Sequence, residues 1–185
     1  MFYYKIDEEL SLKLVTRKDA DEIFEMIDRG REHFRQWLGW VDASTDNTVT
    51  RNFIDMNLKK YANYEALDTA IVYQGKIVGK IGLNSINYAN KTTYIGYMLD
   101  EAYQGKGIMT RATKAMVTLA FEEYDLHKVE IHVAEGNLKS RAIPERLGFQ
   151  QEGIVRSNEW LYDHYVDHVI YGMLRKEWLE KAKNK

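Results

Sequence analysis

The chain has 185 residues, 45% of them apolar and 29% charged, the balance of one globular domain whose core needs no disulfide or metal staple. Its 26 Lys and Arg against 28 Asp and Glu leave a net charge of −2, which excludes a generally basic nucleic-acid coat. With no cysteine, disulfides, thiolate metal sites and a cysteine nucleophile are excluded too, and no window approaches the roughly 20 apolar residues of a membrane span.

In chain order, acidic residues near the start, at Asp7, Glu8 and Glu9, stand where a secretory signal needs an apolar core. Leu10, Leu12 and Leu14 alternate as in a strand. Ala20, Ile23, Phe24, Met26 and Ile27 have helical spacing, opened by Asp19 as a cap. Phe34, Trp37, Leu38, Trp40 and Val41 continue an apolar, helical stretch. A polar turn over 42–47 leads to a further helix through Phe53, Ile54, Leu58 and Tyr61. The period then changes: Ala70–Tyr73 and Ile77–Leu83 are β-rich runs split by a Gln74-Gly75-Lys76 turn, and Thr92–Leu99 is a third. Ile108, Ala112, Ala115, Met116, Leu119 and Ala120 form one helical stripe. Val129, Ile131 and Val133 alternate with Glu130 and His132 as a strand. A short helix follows at Leu138–Leu147, then two antiparallel strands over Phe149–Leu174 and a last helix over Arg175–Lys183. The fold class is mixed α/β with a central antiparallel meander. The sole proline, Pro144, marks no linker, so residues 1–185 read as a single domain.

The segment Tyr103-Gln104-Gly105-Lys106-Gly107-Ile108-Met109-Thr110 joins a strand to the best-patterned helix. Two glycines and a lysine at a helix start let several unpaired amides converge on one point, an anion site. A glycine-rich turn that merely starts a helix is the plainer alternative. The charges favour the anion: Lys106, Arg111 and Lys114 gather at the positive end of the helix, and Glu122, Glu123 and Asp125 crowd its negative end. Both placements oppose the helix dipole, which favours the reverse by about 0.3–1 kcal/mol per charge. The loop lacks the Gly-Lys-[Ser/Thr] of a Walker loop and the third glycine of a dinucleotide fingerprint.

Gln104-Gly105-Lys106-Gly107-Ile108-Met109 resembles the Gln/Arg-x-x-Gly-x-Gly/Ala acetyl-CoA loop of the GNAT N-acetyltransferase superfamily. Met109 followed by Thr110 looks like the ribosomal-protein N-acetyltransferase (RimJ/RimL-like) branch. So do Trp37-Leu38-Gly39-Trp40, Ile95-Gly96-Tyr97-Met98-Leu99-Asp100, and Asn137-Leu138-Lys139-Ser140-Arg141-Ala142 leading to Leu147-Gly148-Phe149. The resemblance implies the GNAT fold, a twisted and mostly antiparallel sheet flanked by helices. It implies acetyl-CoA as cosubstrate, no metal, and direct transfer in a ternary complex. The amides of Gly105, Lys106, Gly107, Ile108, Met109 and Thr110, beside Gln104, would hold the pyrophosphate. The pantetheine arm would lie between two splayed strands, pairing near Met98 and Leu99, one of whose amides polarises the thioester carbonyl. Asn137 would contact that arm, and Ser140 would stand near the coenzyme sulfur. Many superfamily members place a tyrosine a few residues further along this helix; this chain has none over 137–155, which leaves Ser140 as the substitute.

For Asn137 and Ser140 a plain helix cap and a first-turn residue are the alternative reading. Pro144 either frees the Ser140 carbonyl for another donor or only deforms its helix. Glu130 and His132, on one strand face, are the candidates for a base. A histidine suits the task near neutral pH, although the pair also reads as an ordinary surface face. Asp163, His164 and water are further candidates. Trp37 and Trp40 are expected to border the acceptor. That acceptor is, by resemblance, a protein N-terminal α-amine, of a ribosomal protein in this branch. A small amine such as a polyamine or aminoglycoside is the alternative, as is an acyl-CoA sensor without turnover. The remaining expectations are a cytoplasmic protein, no nucleic-acid or membrane partner, and a homodimer or higher homo-oligomer formed through an exposed tail strand.

Overall fold

The alternation at Leu10, Leu12 and Leu14 does make a strand, but it is the second one. In the computed structural model, which describes residues 3–183, β1 (Tyr3–Lys5) pairs outside β2 (Leu10–Leu14). Three residues at a sheet edge are too few to print a period, so the sequence pattern misses β1. The meander follows as β3 (Leu67–Tyr73), β4 (Lys76–Asn87) and β5 (Thr92–Leu99). β6 (Lys128–Ala134) precedes the hairpin of β7 (Gln150–Leu161) and β8 (His164–Leu174). The eight strands lie in the order β1-β2-β3-β4-β5-β6-β8-β7, and every pairing is antiparallel except β5 with β6.

Helices cover both faces. α4 (Ile108–Glu122) lays Ile108, Ala112, Met116 and Ala120 on Leu12, Ile71, Ile81, Ile95, Val129 and Ile131. α5 (Leu138–Leu147) completes that layer through Ile143, and α6 (Arg175–Lys183) ends the chain. On the opposite face α1 (Ala20–Arg29) and α3 (Asn47–Ala62) bury Ile23, Met26, Ile27 and Ile54 against Ala70, Val72 and Ile77. The expected helical stretch from Phe34 to Val41 is shorter than its apolar pattern. Only α2 (Arg31–Arg35) is α-helical; turns follow, and Val41–Ala43 form a single 3-10 turn. The competing force is tertiary: the Tyr162 hydroxyl donates to the Leu38 carbonyl at 2.6 Å, and the Arg35 guanidinium lies 3.9 Å from the Tyr162 ring centroid.

Asp19 occupies the cap position of α1, yet its side chain bonds no amide of that helix. It accepts from the Lys13 ammonium and, at 2.8 and 2.9 Å, from the amide and hydroxyl of Thr16. Burial raises the Asp19 pKa, but these three donors outweigh it and hold the carboxyl below its ordinary value of 3.8. Stability from this contact is therefore complete above the unfolded value of about 3.9 and is lost as pH falls through the lower folded value. Asp19→Ala strands the Lys13 charge, whose side chain is 11% exposed. The expected cost is about 3 kcal/mol in urea unfolding; a loss under about 1 kcal/mol at neutral pH would show the ammonium reaching water.

Candidate active site

The loop between β5 and α4 begins at Asp100, whose carboxylate accepts from the Ala102 amide at 3.0 Å and from Arg29 at 2.9 Å. Gly105 and Gly107 then turn at φ +76° and +70°, a region open to glycine and costly for other residues. A β-carbon built on either would meet no heavy atom within 4 Å. These glycines therefore leave space on the outer side of the bend, which internal packing does not fill. Gly107 caps α4 without any side-chain acceptor, and the first helical bond runs from the Arg111 amide to the Gly107 carbonyl at 3.1 Å. Six successive amides, Gly105 to Thr110, have no acceptor among the described residues. The Ile108 and Met109 side chains are buried in the core, so those two residues offer only their amides to the bend while anchoring it.

The cations around the bend differ from those the sequence pattern assembles. Arg111 is spent on Asp7 at 2.5 Å, which pins the helix start to the β1–β2 turn. Lys106 remains, its ammonium 4.9 Å from the Tyr103 ring centroid. Two further cations come from α5: Lys139 donates to Gln104 at 3.1 Å and Arg146 donates to the Thr110 hydroxyl at 2.8 Å. Neither is legible without knowing that α5 packs beside α4. The other side of Gln104 meets His33 at 3.1 Å.

β5 and β6 separate next to this bend. Their parallel pairing runs from Thr92 with Lys128 to Ile95 with Ile131 and stops there. Beyond it β5 continues to Leu99 on β4 alone, and β6 continues to Ala134 on β8 alone. The Asp100 amide bonds the Val78 carbonyl at 2.8 Å. Strand alternation then turns the Met98 amide towards β4 and those of Tyr97 and Leu99 into the gap. Of the two amides named from the sequence, Leu99 faces the splayed side. The Met98 side chain packs with the α1 and α3 layer instead.

Asn137 caps α5, its side-chain oxygen accepting from the Ser140 amide at 3.1 Å. Pro144 carries no N–H, so the Ser140 carbonyl has no partner within the helix. The Tyr97 hydroxyl donates to that carbonyl at 2.9 Å and accepts from the Ser140 hydroxyl at 3.2 Å. Burial pushes the Tyr97 phenol up, and the Ser140 bond only partly offsets this, so the phenol stays protonated through the neutral range. Tyr97 is the residue the sequence reading missed. The signal was a carbonyl freed by Pro144, which needs a donor, but the donor's identity depends on which way β5 faces.

Glu130 and His132 share the other face of the sheet, as the alternation predicts. His132 Nε2 lies 2.8 Å from a Glu130 oxygen, and the second Glu130 oxygen accepts from Lys128 at 2.7 Å. Burial raises the Glu130 pKa, and the bonds from Lys128 and His132 outweigh it, so the carboxyl sits below its ordinary value. The Tyr94 ring stacks on His132 with centroids 5.3 Å apart. Ser140 with Tyr97 thus lies on one side of the sheet and His132 with Glu130 on the other, and the gap beyond Ile95 and Ile131 is the passage between them. Trp37 borders the turn before Asn137: a β-carbon on Gly136 would stand 3.6 Å from its ring. Trp40 is 44% exposed. Asp163 and His164 pair at 2.6 Å in the exposed β7–β8 turn. Among the described residues no group of three His, Asp or Glu side chains could hold a metal ion, and no helix is long and apolar enough to cross a membrane.

A splayed parallel pair, a glycine bend at a helix start and a helix closing the gap define an acetyl-CoA-dependent N-acetyltransferase. Residues 9–150 match the family described as Acetyltransferase (GNAT) domain, and the chain belongs to that family. It is similar to YdaF of Bacillus subtilis, by its name a candidate ribosomal N-acetyltransferase, at 34% identity over 96% of this chain and 98% of the relative. Ribosomal-protein-serine acetyltransferase of Escherichia coli is 28% identical over 92% and 95%. Among solved structures, the ribosomal L7/L12 α-N-protein acetyltransferase RimL in complex with coenzyme A superposes with a TM-score of 0.92 at 26% identity, covering 95% of this chain and 99% of that one. The microcin C7 self-immunity acetyltransferase MccE, in complex with acetyl-CoA and AMP, gives 0.87 at 30% identity, covering 92% and 94%.

Proposed function

We propose that the chain acetylates the N-terminal α-amine of a protein, in the ribosomal class, by direct transfer from acetyl-CoA. The observation that carries this reading is the gap between β5 and β6, which joins the amide-lined bend on one side to the half-exposed face of Tyr94, Glu130 and His132 on the other. Relatives that span nearly the whole chain and are named for ribosomal-protein acetylation support the acceptor class.

Acetyl-CoA supplies the activated acetyl group. The six free amides from Gly105 to Thr110, with Lys106, Lys139 and Arg146 around them, suit its diphosphate. Gln104 is placed to contact it once released from His33. The Leu99 amide, left without a strand partner on the gap side, holds the charge that develops on the thioester oxygen. The free side-chain NH₂ of Asn137 meets the pantetheine amides. Ser140 turns its hydroxyl from Tyr97 to the sulfur as the C–S bond breaks and gives the thiolate a proton that water returns to the serine, and Tyr97, a positioning residue, fixes the helix turn that carries it. An α-amine with an unperturbed pKa of about 7.7–8.0 needs little help to lose its proton; His132 backed by Glu130, or water, accepts it. Trp37 borders the acceptor's approach, with the exposed Trp40 outside it.

Incubation with labelled acetyl-CoA, N-terminal peptides of ribosomal proteins and a panel of polyamines and aminoglycosides tests the proposal. Label on the α-amine of a peptide is the expected result. Label confined to small amines would transfer the chain to that acceptor class, and acetyl-CoA binding without any labelled product would make it a sensor.

A further inference from the structure

The far end of α4 carries a second cavity, of about 550 Å³. At about 1.5 Å per helical residue it lies about 20 Å from the Gly105–Gly107 bend. Five tyrosines line it: Tyr4, Tyr61, Tyr64, Tyr88 and Tyr124. Leu14, Leu67 and Leu119 supply an apolar wall. Leu119 belongs to the stripe that the helical pattern assigns to the core, but it is only partly buried because it faces this space.

The side chains that line the cavity are neutral or acidic. The cavity takes residues from the C-terminal ends of both α3 and α4, the negative end of each helix dipole. Glu123 and Asp125 stand at its rim, and no lysine or arginine among the described residues lines it. Asp125 is paired with Lys91 at 2.6 Å and with Arg175. Glu123 has no partner among the described residues. Burial pushes the Tyr124 phenol up to about 12, with the phenols of Tyr61, Tyr88 and Tyr64 and the Glu123 carboxylate adding to it. Tyr64 sits just past the C-cap of α3 at φ +60°, where glycine is free of strain and tyrosine is not. Its backbone carbonyl accepts from the Tyr88 hydroxyl at 2.9 Å, which fixes the Tyr88 ring against the end of α3.

We propose that this cavity binds a protonated alkylamine, its hydrocarbon part against the leucines and its ammonium among the phenol oxygens, ring faces and Glu123. Phenol oxygens and a carboxylate accept from N–H⁺, and tyrosine faces attract the same charge. The site is independent of the acetyl acceptor, which lies across the sheet.

Calorimetric titration of the intact protein with hexylammonium, 1-hexanol and hexanoate tests it. Hexylammonium is expected to bind saturably, hexanol about tenfold more weakly and hexanoate not at all, since only the ammonium makes charge-assisted bonds. Glu123→Gln should weaken hexylammonium by about tenfold, Leu119→Trp should narrow the cavity at its apolar wall and weaken binding as well, and Trp37→Ala should leave it unchanged. Absence of binding, equal affinity for hexanol, or binding that is undiminished in Leu119→Trp and disappears in Trp37→Ala would overturn the proposal. Should Leu119→Trp fail to fold, the exposed Glu123→Gln and the hexanol comparison decide the question.

Discussion

Gly107→Glu is expected to weaken acetyl-CoA binding by about a thousandfold while leaving the thermal unfolding of the free protein within a few degrees. Two costs add. The position has φ +70°, where a side chain costs roughly 1–2 kcal/mol; the free bend escapes this cost by relaxing and must meet it again to bind the coenzyme. The new carboxylate also stands in the open space outside the bend, the side proposed for the diphosphate, and like charges brought together at a binding surface cost several kcal/mol. Their sum of about 4 kcal/mol corresponds to about three decades in affinity. Gly107→Ala separates the costs: it keeps the backbone strain without the charge and should lose about tenfold. The readout is the rise in melting temperature that a ligand of the native state produces by mass action. A full rise in Gly107→Glu would place the coenzyme against another surface.

Ser140→Ala should lower kcat by about a hundredfold to a thousandfold, within the range for loss of a positioned proton donor, with acetyl-CoA affinity nearly unchanged. The substitution removes the hydroxyl that bonds Tyr97 at 3.2 Å but leaves the Tyr97 bond to the Ser140 carbonyl at 2.9 Å, so the helix turn keeps its anchor. Tyr97→Phe does the converse: it keeps the Ser140 hydroxyl and leaves a carbonyl in a proline-containing helix without its donor. Its expected loss is about tenfold in kcat, with lower stability of about 1–3 kcal/mol from the unpaired carbonyl. Equal turnover of Ser140→Ala and the unaltered enzyme would dismiss Ser140 as the proton source for the sulfur. A larger loss in Tyr97→Phe than in Ser140→Ala would transfer that role to the phenol.

The sequence patterns follow the fold closely wherever local periodicity and tertiary packing agree. The helix over 138–147 and the strand over 92–99 have the bounds that the spacing predicts, because Gly148 ends the one and an Asn90-Lys91 turn starts the other. Asp19 and the segment after Phe34 depart from their patterns for one reason: partners distant in sequence or hidden by the topology, Lys13 and Tyr162, claim the groups that local rules assign elsewhere. The bend at 105–110 is legible because its chemistry is carried by consecutive residues. The Tyr97–Ser140 contact is not, since it joins a strand to a helix 43 positions away. The opening between β5 and β6 likewise leaves no mark in either strand alone; it appears only when their registers are compared.

Amide resonances of the ¹⁵N-labelled protein, followed through a titration with coenzyme A, test the central claim most directly. The backbone N–H groups of Gly105 to Thr110, which lack protein acceptors, should shift together and saturate at one equivalent, along with Leu99 in the gap. Shifts confined to other surfaces, with those six amides unmoved at saturation, would contradict the account.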